Sequence, residues 1–168
     1  LAEMEDQAER YVHVQSASML LRWAIDRYRK EKQAPLLSRA GMIFTKLTIG
    51  GFDSLTVDYD DKDQPQITGI RPDGSHVGVD GMSDGTTDQL YLALRIAAVE
   101  EYLETAPSLP FIADDLFINF DEERATAGLE VMAGLAEHTQ VLFFTHHQHL
   151  LDLAKKAIGI DRMSVHQL

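Results

Sequence analysis

The sequence predicts an α/β protein whose sheet is mostly parallel and flanked by helices. Three observations carry this. Residues 111–113 (Phe-Ile-Ala) and 140–144 form short apolar strands, each running into polar residues at its C-terminal end. A helical pattern from about residue 121 to 137 lies between them, and the polar start of a further helix carrying Leu150, Leu151 and Leu153 follows. Strand, helix, strand and helix in that order imply parallel strands joined by crossover helices.

The elements before this core read in order. From Leu1 to about Lys32 there is no Gly or Pro, and Val14, Ala17, Leu21, Ala24 and Tyr28 recur at alternating three- and four-residue steps. That spacing predicts a helix with one apolar stripe. With Gln7 and Arg10 at the equivalent earlier positions, the stripe holds for about two heptads. It fits both the root of a coiled coil and a helix packed on its own domain.

Pro35 suits the first turn of a helix, so a second helix is expected with Leu36, Ala40, Ile43 and Leu47 on one face, ended by Gly50-Gly51. Next, Leu55, Val57 and Tyr59 alternate with polar residues, residues 66–71 form a second run, Pro72-Asp73-Gly74 turns, and residues 76–79 form a third. This predicts a small antiparallel meander. Residues 90–103 are apolar around most of a helical circumference and predict a buried helix.

Composition narrows the function. The chain has 168 residues, 45% hydrophobic and 25% charged, which suits one globular domain. Without cysteine it has neither a disulfide framework nor a thiolate metal site, and no apolar run approaches the ~20 residues of a membrane span. A cytoplasmic protein without membrane contact is expected. A net charge of -12 argues against a DNA-binding surface on this piece, since phosphate contact needs a basic stripe. The start, Leu1-Ala2-Glu3-Met4, reads as an internal cut in a longer polypeptide.

Three segments carry candidate chemistry. The stretch Gly81-Met82-Ser83-Asp84-Gly85-Thr86-Thr87-Asp88-Gln89-Leu90 reads as a polar, Gly-containing loop running into the buried helix. It offers backbone amides, a hydroxyl and the positive end of a helix dipole to an anion, or simply caps the helix through Ser83 or Thr86. Asp114 and Asp115 end an apolar strand, where open α/β sheets bind ligands. One carboxylate there can hold Mg²⁺ and the other orient or deprotonate a water, and solvated turn carboxylates are the plain alternative. His146, with His147 and His149 beside it, follows the next strand. It suits a phosphate contact or a metal, while His147 and His149 read as the polar start of a helix.

The order and spacing of these segments resemble the second half of an ABC-type ATPase head. Met82-Ser83-Asp84-Gly85-Thr86 stands where that family's signature has Leu-Ser-Gly-Gly-Gln. The run 111–115 resembles Walker B, Asn119-Phe120-Asp121 the D-loop, and 143–146 the H-loop. The finer wording of residues 83–95 and 109–117 is most similar to YhaN-type AAA-family ATPases, relatives of SMC, RecF and RecN.

The resemblance implies a helix from the returning arm of a coiled coil at 1–33 and a C-terminal ATPase lobe at 34–168. It implies ATP and Mg²⁺ as substrate and cofactor, with Asp114 at the metal and Asp115 and His146 in catalysis. Ser83, Asp84, Gly85 and Thr86 would meet the ATP of a second head in a homodimer, and Asn119 and Asp121 would form the D-loop between sites. It further implies a nuclease subunit as partner, a role in DNA repair, and DNA contact through the whole complex.

Three departures stand out. Asp84 replaces the first signature glycine, and Asp115 replaces the usual catalytic Glu. No Gly-x-x-x-x-Gly-Lys-Ser/Thr occurs and no lysine follows a glycine, so the phosphate-cradling loop is expected on an N-terminal Walker A lobe of the same polypeptide, and this chain alone should be inactive. Two other readings remain: a metal-dependent phosphoesterase or nuclease using Asp114, Asp115 and the histidines 146–149, and a non-enzymatic interaction module.

Overall fold

The computed structural model describes residues 2–59 and 64–167, with side chains described at 7, 10–25, 27, 28 and from 35 onward within those ranges. Contacts divide the chain into two compact units, Leu1–Pro35 and Leu36–Leu168.

Helix α1, Ala2–Leu47, starts in the first unit and ends in the second, with Pro35 inside it. The expected break before Pro35 is therefore corrected to one continuous helix, and Leu1 lies outside the described residues. Proline lacks only its own N–H, so it costs one ladder bond and a clash with the preceding turn rather than forbidding the helix outright. In the first unit the stripe residues Val14, Leu21 and Tyr28 are 67, 62 and 65% exposed, as are Tyr11 and Trp23 to similar degrees. The helix ends as expected near its glycines. Ile49 and Gly50 take positive φ, and the Gly50 N–H donates to the Thr45 carbonyl at 2.9 Å, a reversal that satisfies a helix-end carbonyl.

The meander forms as expected. β1 (Ser54–Tyr59) pairs antiparallel with β2 (Pro65–Ile70), and β2 with β3 (His76–Gly78). A 3₁₀ turn at Val79–Gly81 then leads to α2, Asp84–Leu103. Thus α2 starts one turn and more before its apolar run, because Ser83 caps it.

The parallel unit follows. β4 (Phe111–Asp114) and β5 (Val141–Phe144) pair in parallel, with Ile112 opposite Leu142 and Asp114 opposite Phe144. They are joined through α3, Glu122–Leu135, and β5 leads to α4, Gln148–Ala157. A 3₁₀ turn at Ile160–Arg162 follows. Among the described residues the parallel sheet has these two strands alone.

One core serves the second unit. Ala40, Phe44 and Leu47 of α1 meet Leu90, Ala93 and Ile96 of α2 and Leu129, Met132 and Leu135 of α3 in a single buried cluster with Phe117 and Leu150. A buried polar tie crosses it, where the fully buried Gln89 side chain donates to the Leu47 carbonyl at 2.7 Å. That carbonyl belongs to the end of a helix and has no partner within it, so Gln89 satisfies a group that burial would otherwise orphan.

The sheet is covered on one face. Ala113 is buried, whereas Ile112, Leu142 and Phe144 on the opposite face are exposed. Parallel sheets ordinarily bury both faces. No helix among the described residues is long and apolar enough to cross a membrane.

Candidate functional site at the strand ends

The parallel register brings the C-terminal ends of β4 and β5 side by side. Asp114 closes β4 and is exposed, and Asp115 follows it with φ 45°. Its N–H donates to the Phe144 carbonyl at 3.0 Å, carrying the ladder one residue past the strand. A positive φ is tolerated best by Asn and Asp among side-chain-bearing residues. The backbone here thus favours Asp over the longer Glu that the resemblance would lead one to expect.

Asp115 turns its side chain toward β5's exit. His146 Nδ1 lies 2.7 Å from Asp115 Oδ2, a hydrogen bond between residues 31 apart in sequence. Asp115 is about one-quarter exposed and His146 mostly exposed. Burial works against the ionised carboxylate, but hydrogen bonding from the Thr145 side chain and from His146, with the His146 charge, outweighs it and holds the carboxyl below its ordinary value of 3.8. The other carboxylate oxygen, Asp115 Oδ1, is buried without a hydrogen-bond partner. The Asp115 carboxylate is accordingly ionised at neutral pH and faces an imidazole able to share a proton with it.

His147 stands at the polar start of a helix, as expected, and also lies beside this group. It is the N-cap residue of α4, its ring centroid lies 3.9 Å from that of His146, and its N–H donates to the Thr145 hydroxyl at 3.1 Å. One ligand atom from each of Asp115, His146 and His147 falls within 4.8 Å of the others. Asp114 and His149 stand outside that group, so of the residues named for the metal-dependent alternative the structure brings together Asp115, His146 and His147.

The loop before α2 forms a second cluster. Ser83 is the N-cap, its Oγ accepting from the Thr86 N–H at 3.3 Å and lying 2.9 Å from the Thr86 hydroxyl. Asp84 opens the helix and is exposed, which places a carboxylate at the positive helix end. Gly85 sits against the segment after β4, where a Cβ at this position would come within 2.8 Å of the Asn119 carbonyl oxygen. The Asn119 side chain in turn donates to Asp88 Oδ2 at 2.8 Å. The signature-like loop and the D-loop-like segment are therefore joined within one chain.

Asp121 caps α3, accepting from the Arg124 N–H at 2.8 Å. Sequence reasoning gave Asp88 and Gln89 no role of their own and read His147 as the polar start of a helix. Asp88 and Gln89 belong to the polar stretch read as the loop before the buried helix. Their roles depend on partners 31 and 42 residues away, which no local pattern reports.

No protein-family model matches this chain. Over 151 residues, 89% of its length, the chain is 33% identical to the uncharacterized protein YhaN of Bacillus subtilis (strain 168), of whose length it spans 15%. Among solved structures it resembles a chain from a study of the structural biochemistry of ATP-driven dimerization and DNA-stimulated activation of SMC ATPases. The TM-score is 0.62 at 15% identity, covering 76% of this chain and 77% of that one. It also resembles the Smc head domain with an extended coiled coil bound to the C-terminal domain of ScpA, from Pyrococcus furiosus, with TM-score 0.57, 18% identity, and 88 and 40% of the two chains covered. For the SMC head domain of Thermotoga maritima the TM-score is 0.52, at 19% identity and 80 and 44% coverage. The chain has the fold of the C-terminal portion of an SMC-type, ABC-ATPase head, and along most of its length its sequence is similar to YhaN.

Proposed function

We propose that this chain is the C-terminal ATP-hydrolysing lobe of an SMC-like head, with Asp115 and His146 activating water against the γ-phosphate of ATP. The observation that carries this is the Asp115–His146 hydrogen bond at the C-terminal ends of two parallel strands, where α/β folds do their chemistry. An ionised carboxylate held by an imidazole accepts a proton from water as the water's oxygen bonds to the γ-phosphorus. The bond from that phosphorus to the bridging oxygen breaks, leaving ADP and inorganic phosphate. Asp114, an exposed oxygen donor beside it, suits Mg²⁺, which when bound neutralises phosphate charge.

The rest of the site comes from elsewhere. The chain has no Walker A lysine loop, and the uncovered face of Ile112, Leu142 and Phe144 suits an N-terminal Walker A lobe of the same polypeptide that completes the sheet's cover. The exposed stripe of α1 suits the returning arm of a coiled coil, which makes 1–33 the arm and 34–168 the lobe. In an engaged homodimer Ser83, Asp84, Gly85 and Thr86 would cap the ATP held by the other head. Asn119 and Asp121 would pass its state between the two sites. The likeness to a DNA-stimulated SMC ATPase favours a cytoplasmic role on DNA, in repair or end processing with a nuclease subunit, and at -12 the chain leaves DNA contact to the rest of the complex.

The test is ATP turnover with Mg²⁺ by a polypeptide carrying both lobes, comparing wild type with Asp115→Asn and using this chain alone as the control. Turnover in the wild type, a drop of about 10²-fold or more in the variant and silence of the single lobe are the expected results. An active single lobe, or an Asp115→Asn variant with full turnover, refutes the assignment.

A further inference from the structure

We infer that Asp115, His146 and His147 form a binding site for a first-row transition-metal ion of the Zn²⁺ class, distinct in chemistry from a Mg²⁺ position at Asp114. Consecutive residues on an extended strand point to opposite sides. His146 and His147 nevertheless bring their rings together, with centroids 3.9 Å apart and planes tilted by 37°, where the chain leaves β5 and His147 caps α4. Asp115 arrives from the neighbouring strand end, and one donor atom from each of the three lies within 4.8 Å of the others.

Two imidazoles and one carboxylate make a donor set that Zn²⁺ and its neighbours take readily, leaving a coordination position open to water. Mg²⁺ prefers oxygen donors and gains little from such a set. Bond lengths of about 2.0–2.2 Å to N and O place tetrahedral donors roughly 3.4 Å apart. The 2.7 Å Asp115–His146 contact must therefore open by somewhat under 1 Å, which the mostly exposed His146 ring can supply by rotation. The cation then takes the place of the proton shared between Oδ2 and Nδ1, and binding releases that proton. A further observation points the same way: Asp115 Oδ1 is buried with no hydrogen-bond partner, so this carboxylate carries more acceptor capacity than the protein around it uses.

An ion held here occupies the groups that would activate water, so metal uptake and turnover exclude each other. That consequence rests on the ATPase reading, whereas the binding itself does not. Calorimetric titration of this chain with ZnCl₂, in the presence of excess Mg²⁺, should give one equivalent bound. His147→Ala and Asp115→Asn should each weaken binding by about tenfold or more, His149→Ala should bind as wild type, and Zn²⁺ should raise the Tm of the wild type but not of His147→Ala. Circular dichroism of each variant without metal verifies that it is folded.

No stoichiometric uptake, an unchanged His147→Ala, or equal weakening by His149→Ala overturns the site. With both lobes present, Zn²⁺ should suppress wild-type turnover, and undiminished turnover at saturating Zn²⁺ overturns the exclusion. An absence of turnover before any Zn²⁺ is added refutes the ATPase reading instead, and the calorimetry then judges the site by itself.

Discussion

Two glycines on α3, Gly128 and Gly134, should respond in opposite senses to the same substitution. Both lie inside Glu122–Leu135, so alanine at either should gain about 0.5–1 kcal/mol through the lost freedom of the unfolded chain. Their surroundings differ. At Gly134 nothing lies within 4 Å of an added Cβ, whereas at Gly128 it would meet two atoms of the Phe117 ring at 2.5 and 2.7 Å. Comfortable carbon contacts are about 3.5–4.0 Å, so the ring must retreat by roughly 1 Å. Phe117 is 2% exposed and confined by Phe120 and Phe143, with ring centroids 5.2 and 5.3 Å away. Overpacking of this kind costs about 1–3 kcal/mol, and the lack of room favours the upper half. Gly128→Ala should thus lose about 1–2 kcal/mol net while Gly134→Ala gains. Urea unfolding is the assay: with slopes of ~1–3 kcal/mol/M, the two midpoints should separate by on the order of 1 M at similar slope. Coincident midpoints would refute the close approach of α3 to Phe117, and with it the packing that supports the segment from Asp115 to Asp121.

Two further predictions concern α2. Ser83→Ala removes the cap bond to Thr86 and should cost about 1 kcal/mol of stability; in a two-lobed polypeptide it should also weaken ATP-driven head association well beyond what that loss explains, by light scattering with and without ATP. Intact association in that variant would leave Ser83 a helix cap and nothing more. Gln89→Ala empties a fully buried site and strips the Leu47 carbonyl of its donor, which should cost about 2–4 kcal/mol by the same urea assay; a change under about 0.5 kcal/mol would mean the tie is dispensable.

The β4–α3–β5 unit was legible because its signals are local. Apolar runs of strand length and helical periodicity lie within a few residues of what they specify. The order of the two carboxylates and His146 was legible for the same reason, as each terminates a strand. What escaped depends on tertiary context. Pro35 carries a strong start signal, yet the helix runs through it, since a proline costs one ladder bond and a local clash rather than forbidding the helix. His147 resembled a routine helix start until β4's exit delivered Asp115 beside it. The preference for Asp at position 115 follows from a φ of 45°, a quantity that the residue's neighbours in sequence do not reveal.

The half-covered sheet has a practical consequence for work with this lobe in isolation. Ile112, Leu142 and Phe144 form an adhesive surface, and among the described residues β4 and β5 each leave one backbone edge unpaired. At high protein concentration two copies should stick through this face. Such a dimer is a handling artefact that hides the surface proposed above for the other lobe. It is told apart from engaged heads by its indifference to nucleotide and by its loss when Leu142 is made charged, so a solubilising change there belongs in any preparation meant for crystals or titrations.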